Sequence, residues 1–112
     1  MLDLDYLPPH GASVTIRHGD EAMAGGGLRR VSDGVGEIKH MWTAPRARGR
    51  GYARRVLAVL EAAAIDYGYG TLRLETPTSA AAAIALYRSV GYEAIEPGGL
   101  SGDVAYYEKR LS

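Results

Sequence analysis

The chain has 112 residues, 13 basic and 13 acidic side chains, zero formal net charge and no cysteine. That length suits one small domain with a single modest core. It excludes disulfides, thiolate metal sites and a cysteine nucleophile, and the charge balance argues against a duplex nucleic-acid binder, which is basic overall.

Residues 1–12 show no hydrophobic period, contain Pro8, Pro9 and Gly11, and read as an irregular arm. Residues 13–17 alternate, with Val14 and Ile16 on one face, and predict a short strand. A turn at 18–21 leads to a second strand over 22–30. Gly25, Gly26 and Gly27 inside it point to a bulge or to close approach of another backbone. Ser32, Asp33 and Gly34 make a hairpin turn into a third strand over 35–43. If that strand is regular, Glu37, Lys39, Met41 and Thr43 share one face, and Ile38, His40 and Trp42 the other. The period then becomes helical through Ala53, Val56, Leu57, Leu60, Ala63, Ala64 and Tyr67, and Gly68 ends the run. Residues 71–75 alternate again. Thr78 or Ser79 suits an N-cap for a second helical stripe of Ala80, Ala83, Ile84 and Tyr87, stopped at Gly91, and residues 104–111 form a last strand.

The expected fold is α/β. An antiparallel meander is followed by a βαβ unit with a right-handed crossover, then a helix and a C-terminal strand, in one mixed sheet and one domain over residues 1–112. His10, His18 and His40 lack metal-ligand spacing, so no metal is expected. The longest apolar stretch is broken by Glu61 and residues 1–3 begin no signal-peptide pattern, so a cytoplasmic protein without membrane or nucleic-acid partners is expected.

The chemistry concentrates where the third strand gives way to the first helix, at Arg48, Gly49, Arg50, Gly51, Tyr52, Ala53 and Arg54. The first N–H groups of a helix lack internal partners and sit at the positive end of its dipole, which makes this junction an anion site. Arg46, Arg48, Arg50, Arg54 and Arg55 surround it, so a ligand with several phosphate charges is expected. No Gly-Lys-Ser/Thr follows, and Arg54 stands where a dinucleotide fingerprint needs its third glycine.

Arg48, Gly51 and Ala53 fit the pattern Arg/Gln-x-x-Gly-x-Gly/Ala, with Pro45 three residues ahead; Arg46, Gly49 and Gly51 give a second frame. The pattern resembles the acetyl-CoA pyrophosphate loop of the GNAT superfamily of N-acetyltransferases. Residues 72–76 and the run from Ala83 to Tyr92 resemble that superfamily's fifth strand and following helix. The resemblance implies acetyl transfer from acetyl-CoA to a primary amine of a small molecule or peptide. Residues 49–54 would hold the pyrophosphate. The backbone of Met41, Trp42 and Thr43 would run beside the pantetheine arm, their side chains being ordinary core. Tyr87 would be the general acid. Glu37 and Glu75 both match positions where relatives carry a base. With no cysteine for an acyl-enzyme, direct attack in a ternary complex is the simpler route.

Two departures stand out. Ala80 replaces an asparagine that often contacts the cofactor arm, and only twelve residues precede the first predicted strand, where the family has a strand and two helices. A CoA-binding module with little transferase activity is therefore the alternative. The departures also predict a homodimer, because residues 13–17 would be an open sheet edge and the uncovered face would be apolar.

Overall fold

In the computed structural model, which describes residues 1–95 and 102–111, a seven-stranded sheet carries two helices on one face. The strands are β1 (Leu2–Leu7), β2 (Gly11–His18), β3 (Glu21–Ser32), β4 (Val35–Thr43), β5 (Thr71–Pro77), β6 (Glu93–Ile95) and β7 (Val104–Arg110). The helices are α1 (Tyr52–Asp66) and α2 (Ala81–Ser89), and a 3-10 turn spans Pro45–Ala47. The spatial order is β1-β2-β3-β4-β5-β7-β6, with β4–β5 parallel and every other pair antiparallel.

The apolar stripe of α1 makes the core. Val56, Leu57, Leu60, Ala63 and Ala64 are buried against Val14, Ile16, Leu28, Ile38, Leu72 and Leu74. Each large side chain so buried contributes roughly 1.5–3 kcal/mol. Helix and sheet meet closely because β3 is glycine there. A Cβ at Gly26 would lie 2.6 Å from Met41 Sδ and 3.1 Å from Val56 Cγ1. Beyond the aliphatic core, Tyr87, Tyr92 and Tyr107 are buried together, and the Arg88 guanidinium of α2 lies over the Tyr107 ring. Glu61 on α1 accepts hydrogen bonds from Tyr92 Oη at 2.9 Å and Lys109 Nζ at 3.0 Å, tying α1 to β7.

Several expectations change. The N-terminal arm is not irregular: β1 pairs with β2 from Leu2↔Ile16 to Leu7↔Gly11. Leu2, Leu4 and Tyr6 share its inward face, a period of two masked in the sequence by the two prolines that follow. The turn after β1 is held down by the end of α1, where Tyr6 Oη donates to Asp66 at 2.9 Å and the hydroxyls of Tyr67 and Tyr69 donate to the carbonyls of Gly11 and His10. Residues 13–17 are therefore an inner strand, and the sheet edges are β1 and β6, the latter not foreseen. Neither Thr78 nor Ser79 caps α2. Its N-cap is Ala80 with no side-chain bond, because the Thr78 hydroxyl instead donates to the Gly102 carbonyl at 3.0 Å.

The third predicted strand is not regular either. Pairing passes from Gly25↔Trp42 to Gly27↔Lys39, so His40 and Met41 both stand opposite Gly26, and His40 takes φ 56°. This bulge re-aims every residue after it. Met41 joins Ile38 on the helix face, and Trp42 joins Glu37 and Lys39 on the other.

That other face has no helix on it among the described residues, since only residues 8–10 link β1 to β2. It is largely polar, with Leu7 and Trp42 as exposed apolar side chains. Arg17–Asp3 (3.0 Å), Arg29–Glu37 (2.7 Å), Lys39–Glu37 (3.7 Å) and Arg73–Glu108 (2.9 Å) are ion pairs across it. Both premises for a homodimer, an open edge at residues 13–17 and an apolar face, are thus absent.

Candidate active site

The parallel pair β4–β5 is short. It runs from Val35↔Thr71 to Glu37↔Arg73, after which the strands part. The rest of β4, bulged at His40, borders a gap that joins the two faces of the sheet. On the helix face the gap opens into a cleft of about 540 Å³. Met41, Trp42 and Thr43 line one side, Ala47, Arg48, Gly49, Gly51, Tyr52, Ala53 and Arg54 its end, and Ala82, Ala83, Leu86 and Tyr87 of α2 the other. Twelve-residue β3 and the 3-10 turn at Pro45–Ala47 bring the chain back to this point before α1 starts.

The end of the cleft is built as the sequence led one to expect, with one difference of cause. Gly51 is the N-cap of α1 at φ 81° and ψ 9°, with no side-chain cap and no acidic residue in the first turn. The leading N–H groups of α1 therefore have no side-chain acceptor. A Cβ at Gly49 or Gly51 would meet nothing within 4 Å; both glycines are required by their left-handed φ, 77° and 81°, and the space in front of them is open. Arg48 and Arg54 line the cleft, whereas Arg50 and Arg55 are exposed beside it. Arg54 Nη2 donates to Ser89 Oγ at 3.0 Å, bracing the first turn of α1 against the end of α2. Arg46 is drawn away into an ion pair with Glu21.

Tyr87 is 6% exposed, packs edge-on against Tyr92 with ring centroids 6.0 Å apart, and faces the cleft. Its hydroxyl makes no hydrogen bond among the described residues, and burial pushes its pKa up, so it stays protonated well beyond neutrality. Ala82, Ala83 and Leu86 give the cleft an apolar wall, of which the helical period picks out only Ala83.

Glu37 and Glu75 do not line the cleft. They lie on the opposite face, on either side of the gap. Glu37 Oε1 is shared by Arg29 and Lys39. Glu75 stands directly across from Tyr106 of β7, its carboxylate beside the Tyr106 hydroxyl. Desolvation and then the charge of Glu75 raise the Tyr106 pKa. Tyr106 was not foreseen; its signal is register, which a sequence does not display. The Trp42 side chain, expected in the core, is 42% exposed on the same face as Glu37. Among the described residues no group of three or more His, Asp or Glu side chains could hold a metal ion, and no helix is long and apolar enough to cross a membrane.

The model of the family described as acetyltransferase (GNAT) matches residues 2–92. An IAA acetyltransferase from Azospirillum brasilense is 36% identical over 104 residues, spanning 91% of this chain and 68% of the relative. The uncharacterised N-acetyltransferase YjgM of Escherichia coli is 29% identical over 81% of this chain, which spans only 56% of that protein's length. A solved structure from Klebsiella pneumoniae, assigned as an acyl-CoA N-acyltransferase, superposes with a TM-score of 0.84 at 35% identity, covering 95% of this chain and 77% of the other.

Proposed function

This chain belongs to the GNAT family of acetyltransferases, and on that premise we propose that it transfers an acetyl group from acetyl-CoA to a primary amine by direct attack in a ternary complex. The observation that carries the reading is the uncapped, arginine-flanked N-terminus of α1 opening into a cleft bordered by the end of β4 that β5 does not pair. The N–H groups of residues 51–54 hold the pyrophosphate, with Arg48 and Arg54 adding charge. The unpaired side of β4 at Met41, Trp42 and Thr43 hydrogen-bonds the pantetheine arm, and an N–H there receives the thioester oxygen as it becomes an oxyanion. Ala82, Ala83 and Leu86 cover the arm's apolar side.

The amine approaches from the opposite face. Glu75 takes the ammonium proton; its described partner is a neutral hydroxyl, whereas Glu37 is held by two cations. The nitrogen lone pair then forms the C–N bond at the thioester carbonyl carbon. As the C–S bond breaks, the Tyr87 hydroxyl protonates the departing thiolate, and the second proton that the nitrogen sheds as the amide forms restores the tyrosinate through solvent. The products are an acetamide and the CoA thiol.

A CoA-binding module with little transfer is the second reading, favoured by Ala80 at the α2 N-cap and by an acceptor face that no helix covers among the described residues. Gly51→Asp tests what both share. At φ 81° aspartate is strained, though it adopts this region more often than most side chains, and the new carboxylate stands against the pyrophosphate. Calorimetric titration with acetyl-CoA is expected to show binding lost while a cooperative thermal melt is kept. Unchanged affinity would falsify the site. Release of free thiol with a panel of amines separates the transferase from the binding module.

A further inference from the structure

The open face of the sheet holds a second hollow that the CoA cleft does not use. It is a trough of about 330 Å³ over β2, β3 and β4, and its lining includes Leu7, Ser13, Gly27, Arg29, Lys39 and Trp42. Its floor is bare backbone on this face because the positions facing it are glycine. The Trp42 indole lies close over Gly25, where a Cβ would fall 2.6 Å from its Nε1. Beside it a Cβ at Gly27 would touch only carbonyl oxygens, at 3.6 and 3.7 Å. The result is a shallow slot with an indole for one wall.

Trp42 is shared: it lines both the trough and the CoA cleft. The bulge at His40 is what turns its side chain to this face while its backbone borders the gap. At the rim, Lys39 and Arg29 share the single carboxylate of Glu37, which offsets one of their two charges. Across the gap, two residues beyond the Glu37↔Arg73 pair, Glu75 carries a carboxylate with no ion-pair partner among the described residues. A molecule lying in the trough with a ring against the indole thus has negative charge ahead of it, at the gap.

We propose that this trough is the subsite for the body of the acceptor, and that it selects a primary amine carrying an aromatic ring on a short chain, the ring packed on Trp42 over Gly27 and the ammonium directed into the β4–β5 gap. The proposal rests on the acetyl-transfer reading for its chemistry but not for its binding. An aromatic pair contributes ~0.5–1.5 kcal/mol beyond buried area, a preference of about twofold to tenfold over an aliphatic chain of similar length.

The test uses the protein's own reporter, since Trp42 is the single tryptophan. Phenethylamine and n-hexylamine are titrated separately into the intact chain while tryptophan emission is followed. Phenethylamine is expected to give a saturable change, with affinity about twofold to tenfold above that of n-hexylamine. Gly27→Val, whose new side chain fills the slot from an unstrained backbone, is expected to abolish that change while acetyl-CoA affinity and melting temperature stay as in the parent. Equal responses to the two amines, no saturation in the millimolar range, or unaltered phenethylamine binding in Gly27→Val each overturns the proposal. Saturable, Gly27-dependent binding without release of free thiol supports the trough and counts against acetyl transfer alone.

Discussion

Two tyrosines that touch each other, Tyr87 and Tyr92, should respond in opposite ways to loss of a hydroxyl. Both are buried, at 6% and 2% exposure, on the helix side of the sheet. Tyr92 Oη donates to Glu61 at 2.9 Å, while Tyr87 Oη has no partner among the described residues and faces the cleft. A hydrogen bond to a charged acceptor is worth about 1.5–3 kcal/mol. Glu61 keeps Lys109 at 3.0 Å in a Tyr92→Phe variant, so the lower half of that range applies, about 1.5–2 kcal/mol. For a domain of this size that is a fall in melting temperature of roughly 6–8 °C. Tyr87→Phe removes no bond and should change stability by less than about 0.5 kcal/mol. Turnover reverses the order. Loss of a general acid costs ~10²–10⁴ in rate, so Tyr87→Phe should lose most of its kcat for acetyl transfer and Tyr92→Phe little. Thermal melts and steady-state thiol release on the two variants and the parent decide it. Near-parental kcat in Tyr87→Phe would refute the catalytic assignment, and a Tyr87→Phe melt as depressed as that of Tyr92→Phe would show that its hydroxyl is structural.

Three further outcomes are expected. Burial, and then the Glu61 carboxylate, raise the folded-state pKa of Tyr92, so its contribution is complete below the unfolded value near ~10 and is lost as pH rises beyond it. Melting temperature should therefore decline above about pH 10, with a shallower decline in Tyr92→Phe; identical slopes would contradict the linkage. Glu75→Gln should lower kcat by ~10² or more and remove the acid limb of the kcat/KM profile, whereas Glu37→Gln should preserve that limb. The reverse pattern would transfer the base to Glu37. Tyr106→Phe, which removes the hydroxyl beside Glu75, should lower kcat while leaving acetyl-CoA affinity alone; an unchanged kcat would deny the coupling.

The sequence by itself determined the local grammar: where α1 starts and stops, the hairpin at Gly34, the strands on either side of α1, and the glycine turn at Gly49–Gly51 that leads into α1, because capping, turn and periodicity rules act over a few residues. The same rules placed Tyr87 on the inward stripe of α2. It misjudged β1, whose period of two in Leu2, Leu4 and Tyr6 is shorter than the noise added by Pro8 and Pro9. What only tertiary structure decided depends on pairing between distant strands. The bulge at His40 exists because β4 must follow β3 past Gly26, and it alone moves Trp42 from the expected core to the open face. Register alone brings Tyr106 to Glu75, 31 positions away in a chain that gives no local sign of the contact. The separation of Glu37 and Glu75 from the cleft at the start of α1, on the far side of the sheet, likewise follows from where β4 and β5 part. Side-chain direction along a strand is a parity, and one inserted residue reverses it for everything downstream.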